Sequence, residues 1–411
     1  MPKIKPFRGI HPARQVADQV IVNLENLSIR EAKVIQQENP YSYVNMVVPK
    51  LDNLFLLGSK NELAYKKINE NFEEFLEKGI LVRDPHPSIY IYRYSNTQHT
   101  QTGIWVTTSI DDYLSNVVKK HELTKRNREE SLIEYLQQTG IDANPVLITY
   151  YAVPRIDEII AATVQQDAEL MFSKNDSDYA LWKIDAELLV QELIELFADI
   201  PSTYIADGHH RAAAASLLGI QRRKLNLRHH GNEDYNFFSS VYMSTDQLRI
   251  YSFNRIIKGL NNLSPEELLN KISRDFTVKK VDHPVLPDRI HQFEMYLNRS
   301  WYELIVKDSI FQEDKPFESL DVTILHQYIL DPLLGIADPR TDPRINYYSG
   351  TNSLEELVAK VDSMDYDIAF VLFPTSIGQL MKVADLGEVM PPKSTCFEPK
   401  FEVGLLIHEM N

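Results

Sequence analysis

The sequence predicts an α+β protein of mixed sheets with flanking helices. Apolar and aromatic runs of strand length recur along the whole chain. Amphipathic helical patterns lie between them, without the strict strand–helix alternation of a doubly wound parallel sheet. One stretch, Tyr204-Ile205-Ala206-Asp207-Gly208-His209-His210-Arg211 with the alanines after it, reads as a strand that breaks at a glycine and runs straight into a helix.

Taken in order, the first element is a helix over 61–78, with Leu63, Ile68, Phe72 and Phe75 on one face. Strands follow over 88–94 and 103–108, then a charged amphipathic helix over 126–138. Further strands are expected over 146–152, 179–184 and 203–206, with a helix over 185–197. The later chain carries strands over 237–243, 276–281, 301–306, 367–373 and 403–407. Its helices are expected over 265–272, 320–330, 353–361 and 376–384. The polar stretches 166–178 and 231–234 read as loops, and the proline-bearing segments 282–289 and 337–343 as breaks. A chain of 411 residues suggests two or three domains. The expected division is an N-terminal α+β region (1–100), a central region with the strand–turn–helix (101–230) and a C-terminal α+β region (231–411).

Composition bounds the function. Hydrophobic residues make up 44% and charged residues 25%, as in an ordinary globular protein. A net charge of −15 argues against a nucleic-acid partner gripped by a broad basic surface. Arg222, Arg223, Lys224 and Arg228 form a local basic run at a helix end, where cations suit the dipole. Cys396 is the only cysteine, so no intrachain disulfide can form and a reducing compartment fits. The start of the chain lacks the apolar core of a signal peptide, and no apolar run is long enough for a membrane span. A cytoplasmic protein without membrane partners is expected.

The chemistry concentrates at the strand–helix junction. A helix start has unpaired backbone N–H groups and a partial positive charge, so it attracts anions. Gly208, His209, His210 and Arg211 there make a phosphate or nucleotide pocket. Asp207 could cap the helix, bind Mg²⁺ or orient a substrate. Neither a G-x-x-x-x-G-K-[ST] loop nor a G-x-G-x-x-G after a strand is present. Glu122 is flanked by Lys119, Lys120, His121, Lys125 and Arg126, which would keep it ionised as a general base or metal-binding carboxylate requires. The alternative is a solvated loop whose Thr124 or Asn127 caps the next helix. His229 and His230 fit no transition-metal spacing. Near the C-terminus Lys393, Ser394 and Thr395 follow two prolines in a stiff loop, which either covers a ligand or leads into the last strand.

Several segments together resemble a bacterial and archaeal domain-of-unknown-function family linked to free serine kinases of the SerK type. They include Pro6-Phe7-Arg8-Gly9-Ile10-His11-Pro12, Lys120-His121-Glu122-Leu123-Thr124 and Leu181-Trp182-Lys183-Ile184. Ala206-Asp207-Gly208-His209-His210-Arg211 and Met390-Pro391-Pro392-Lys393-Ser394-Thr395 are the most specific. Ala212 stands where the family usually carries an aromatic. Val20-Ile21-Val22-Asn23-Leu24 stands where it usually has a Pro-Tyr-Asp-Val-like piece. The free serine kinases are related in turn to the ParB and sulfiredoxin proteins. The resemblance therefore implies a ParB/sulfiredoxin-like core in which the strand–turn–helix holds nucleotide phosphates. By motif order it makes Glu122 the catalytic base, with Arg126 following at the phosphates.

The expected function is a small-molecule kinase. It would transfer a phosphoryl group from ATP or ADP, with Mg²⁺, to a small hydroxylated metabolite such as free L-serine. Glu122, Asp207 and His209 are the expected catalytic residues. Gly208, His209, His210, Arg211 and Arg126 are the expected phosphate-binding residues, and Lys393, Ser394 and Thr395 the loop contacts. The alternative is a nucleotide-binding switch or partner-binding protein without small-molecule turnover.

Overall fold

The structure, a computed structural model, describes residues 1–24, 27–48, 60–310, 315–398 and 400–410. The chain forms two compact units. Unit 1 comprises Met1–Leu248 with Pro399–Asn411, and unit 2 comprises Arg249–Glu398. Position 100 of the expected division falls within a hairpin of unit 1, Ile89–Ser95 with Thr100–Ser109. Position 230 precedes a strand, Phe237–Ser244, of the same sheet.

Unit 1 is built on a nine-stranded mixed sheet. Eight strands run in the spatial order Val118–Lys119, Thr203–Asp207, Val146–Tyr150, Phe237–Ser244, Thr100–Ser109, Ile89–Ser95, Ser177–Ile184, Leu170–Lys174, and Ile4–Lys5 pairs beside Thr100–Ser109. Two pairings are parallel: Thr203–Asp207 with Val118–Lys119, and Phe237–Ser244 with Val146–Tyr150. The others are antiparallel. Phe237–Ser244 is buried along its whole length, so its serines need internal partners. Trp105 Nε1 donates to Ser239 Oγ at 2.8 Å, and Thr108 Oγ1 lies 2.6 Å from Ser240 Oγ. Helices cover the sheet, and their apolar residues join Ile104, Val106, Ile148, Leu193, Phe197 and Leu218 in one core. A second core gathers the chain start, the Lys60–Glu77 helix and the chain end around Ile10, Tyr43, Phe72, Val403 and Ile407.

Two expected elements differ in form. The 166–178 stretch is not a loop: Leu170–Lys174 pairs with Ser177–Ile184 through a turn at Asn175 and Asp176, both at positive φ. Its polar residues are those of an edge strand, buried on alternate positions only. The 403–407 stretch is not a continuous strand. Val403 and Ile407 make isolated bridges to Val22 and Ile10, and Gly404, at φ +81, breaks the run between them.

Unit 2 holds a six-stranded sheet in the order Phe276–Val281, Ser300–Val306, Gln292–Leu297, Ile368–Leu372, Phe253–Ile257, Ile345–Ser349. Every pairing in it is antiparallel. The helix Leu354–Asp362 packs Leu357 and Val361 on Ile256, Tyr296 and Val371. The expected helix over 320–330 is an α-helical turn, Asp321–Leu325, continued as a π-helix over His326–Leu330. Among the described residues no helix is long and apolar enough to cross a membrane.

Candidate functional site

The junction read from the sequence is present. Thr203–Asp207 is a strand, and His209–Leu225 is a helix. The ladder slips between Ile205 and Asp207, a bulge that re-aims the strand end. Gly208 sits at φ +98, where a residue with a Cβ is strained. A Cβ there would also lie 2.9 Å from the Arg211 guanidinium, which crosses the glycine. Ala212, Ala213, Ala214 and Ala215 are all buried, and small side chains let the helix lie close on the sheet.

The helix start has no side-chain partner, and its first backbone bonds run from Arg211 and Ala212 to the Gly208 carbonyl. Asp207 is therefore not a helix cap. Its Oδ2 accepts from Arg211 Nη2 at 2.7 Å, and its Oδ1 lies 3.5 Å from Lys400 Nζ. Burial works to raise its pKa, but the two cations outweigh burial and hold the carboxyl below its ordinary value. Both oxygens of Asp207 thus face cations, which does not suit a Mg²⁺ ligand.

Glu122 and His209 come together from distant parts of the chain. His209 Nδ1 lies 3.7 Å from Glu122 Oε2; the imidazole is 3% exposed and the carboxylate side chain 50% exposed. His209 Nε2 accepts the backbone N–H of His121 at 3.4 Å. An acceptor at Nε2 puts the ring proton on Nδ1, facing the Glu122 carboxylate. Burial pushes the His209 pKa well down, and the neighbouring His121 and His210 push it further. His121 stands edge-on to His209, 4.4 Å between ring centres, and burial lowers its pKa to about 4. His210 Nδ1 accepts the Lys125 N–H at 3.3 Å, and burial lowers its pKa as well. The three histidines are neutral near pH 7, so the side-chain cations here are Arg211 and Lys400, both facing Asp207.

The other expected site residues have the following surroundings. Arg126 is 90% exposed and pairs with Glu130 at 2.9 Å, one turn along its own helix. Opposite charges at (i, i+4) lie on one face of a helix, which is how this exposed pair meets. Neither Thr124 nor Asn127 caps that helix; its N-cap is Lys125, with no side-chain bond. Arg211 donates from Nη1 to Asn144 Oδ1 and the Pro145 carbonyl, so it ties the strand end to a neighbouring turn. Lys393, Ser394 and Thr395 belong to unit 2. There Lys393 adopts positive φ and lies over the Phe253 ring, while its carbonyl accepts from Arg255. Ser394 is buried and donates to the Pro391 carbonyl at 2.6 Å. Ser394 therefore holds its own loop together.

Sequence reasoning missed Lys400, Asn144 and Asp142. Lys400 stands 3.5 Å from Asp207 although it lies near the end of the chain, and nothing local marks it. Asp142 accepts the Ser239 N–H at 2.8 Å, and burial raises its pKa to about 7. Asp142, Asn144 and Arg211 together border a cavity of about 430 Å³ in unit 1.

No curated protein matches the chain. Among solved structures it is similar to a conserved hypothetical protein from Pyrococcus furiosus, at 14% identity over 75% of this chain and 95% of that one, with a TM-score of 0.35. It is similar to a free serine kinase in complex with AMP, at 14% identity, 73% and 90% coverage and a TM-score of 0.35. It is also similar to SbnI with a C-terminal truncation from Staphylococcus aureus, at 10% identity, 72% and 82% coverage and a TM-score of 0.37. The family described as protein of unknown function DUF1015 matches residues 4–323, and the chain belongs to it.

Proposed function

We propose that unit 1 transfers a phosphoryl group from ATP or ADP to a small hydroxylated metabolite such as free serine. The observation that carries this reading is the buried His209 held against the half-exposed Glu122 beside an uncapped helix start. The reaction needs positioned phosphates, neutralised charge and a base for the acceptor proton. The amides of the first helical turn hold the phosphates, and Lys400, 3.5 Å from Asp207, supplies a cation at the strand end. His209, its proton on Nδ1, orients Glu122, and Glu122 takes the acceptor proton. The acceptor oxygen attacks the terminal phosphorus, the bridging P–O bond breaks, and the leaving nucleotide keeps the electron pair. His209 is thus a positioning residue rather than the base, and no step is routed through a metal at Asp207.

Glu122→Gln preserves size and removes basicity. The expected result is loss of serine-dependent nucleotide consumption by roughly 10²–10⁴-fold, with calorimetric nucleotide affinity nearly unchanged. A Gln variant that turns over like wild type overturns the base assignment. The second reading, a nucleotide-binding switch, is favoured by Arg211 and Asp207 being satisfied by each other and by their protein neighbours. It predicts nucleotide binding with no serine-dependent consumption in wild type.

A further inference from the structure

The cavity of about 430 Å³ lies on the flank of the His209–Leu225 helix. Arg211 and Ala215, one helical turn apart, both line it. Its Arg211 end therefore abuts the Gly208 turn, because the guanidinium that borders the cavity also crosses that glycine. Its walls carry the rings of Tyr43, Tyr65 and Tyr135 among aliphatic side chains such as Leu132. We infer that this cavity takes the base and sugar of the nucleotide whose phosphates the helix start holds, an inference that rests on the phosphate-site reading above.

Three features point to a nucleoside. The volume falls within the 300–1,000 Å³ typical of small-molecule pockets and exceeds what a three-carbon acceptor fills. Tyr65 and Tyr135, edge to face with ring centres 6.4 Å apart, both line the cavity, so aromatic residues border the space a flat heterocycle would fill. The polar end is matched in charge: Arg211 is paired with Asp207, so the described lining residues offer no unmatched cation to a second phosphate or a fatty carboxylate. It offers neutral donors and acceptors instead. The Asn144 carbonyl is held by Arg211, which leaves its NH₂ group to donate. The Asp142 carboxyl, its pKa near 7, can donate as well as accept. Such groups suit the edge of a base.

The test fills the cavity from positions outside the catalytic set. Ala64→Trp and Ser131→Trp each place an indole on one of two helices that line it. Calorimetry with ADP, adenosine and pyrophosphate then separates the two halves of the ligand. Wild type is expected to bind ADP more tightly than pyrophosphate. Both variants should weaken ADP by about tenfold or more while holding pyrophosphate within about threefold, with unchanged melting temperatures. Unchanged ADP affinity in folded variants overturns the nucleoside cavity and leaves the phosphate site standing. Equal affinity of wild type for ADP and pyrophosphate does the same. Failure of wild type to bind either one overturns the phosphate reading and this inference with it. Should both variants misfold, transferred nuclear Overhauser contacts from adenosine ring protons to the Leu132 methyls of wild type decide: their presence supports the cavity, their absence overturns it.

Discussion

Arg211 shows how one side chain can serve a fold and a site together. Its guanidinium joins Asp207, Asn144 and the Pro145 carbonyl, and it is only 20% exposed. Removing it strands the Asp207 carboxylate beside Lys400 alone. Hydrogen bonds to charged groups contribute roughly 1.5–3 kcal/mol each, so Arg211→Ala is expected to lower unfolding free energy by about 2–3 kcal/mol. Equilibrium denaturation measures this, and a loss near zero would show that the clamp contributes nothing. His121 gives a pH dependence of definite sign. Its folded pKa is about 4 and its unfolded value about 6.5. Between these values the unfolded chain binds more protons, so the contribution is intact above pH 6.5 and fades as pH falls toward 4. Asp142, with a folded pKa near 7, works in the opposite direction over the same range. Wild type must therefore be compared with His121→Gln. The stability gap between them should shrink by about 2 kcal/mol from pH 7 to pH 5, as read from denaturant midpoints at each pH.

The strand–turn–helix is the element in which sequence and structure agree most closely. Gly208 makes it testable. Gly208→Ala brings backbone strain of roughly 1–2 kcal/mol and pushes the new methyl into the Arg211 guanidinium. The expected outcome is a destabilisation above about 1 kcal/mol together with weaker nucleotide binding, measured by denaturation and calorimetry. This junction was legible because its signal is local: β-type residues, a glycine, then alanines at helical propensity. The meeting of Glu122 with His209 was legible only through motif order, since no periodicity relates residues of separate elements. The exposure of Arg126 and its pairing with Glu130, one turn away, were not legible because a run of charges does not say which side chain faces inward. Lys400 and Asn144 carry no local mark at all. The 166–178 hairpin was hidden because an edge strand keeps polar residues on its open face.

At the scale of the whole molecule the chain leaves unit 1 after Leu248 and returns to it at the end. The returning segment places Val403 against Val22, Ile407 against Ile10 and His408–Glu409 against Ile141–Asp142. These contacts join a buried core and so hold the start of the chain in place. A chain ended after Glu398 is expected to show faster amide hydrogen exchange at Ile10, Val22 and Asp142. Exchange in the Ile368–Leu372 strand of unit 2 should be unchanged. Equal exchange at all of these sites in truncated and full-length protein would show that the returning segment is dispensable.

That return has a consequence for biosynthesis. Translation delivers Asp207 and the helix start long before Lys400, with all of unit 2 made in between. On the ribosome, Asp207 therefore waits with Arg211 as its partner, and its second cation arrives only after unit 2 has been made. Folding that proceeds as the chain is made cannot close unit 1 until unit 2 has been synthesised. A chain terminated within unit 2 carries the strand–turn–helix but not the lysine beside Asp207, so the complete charge arrangement marks a chain translated past unit 2.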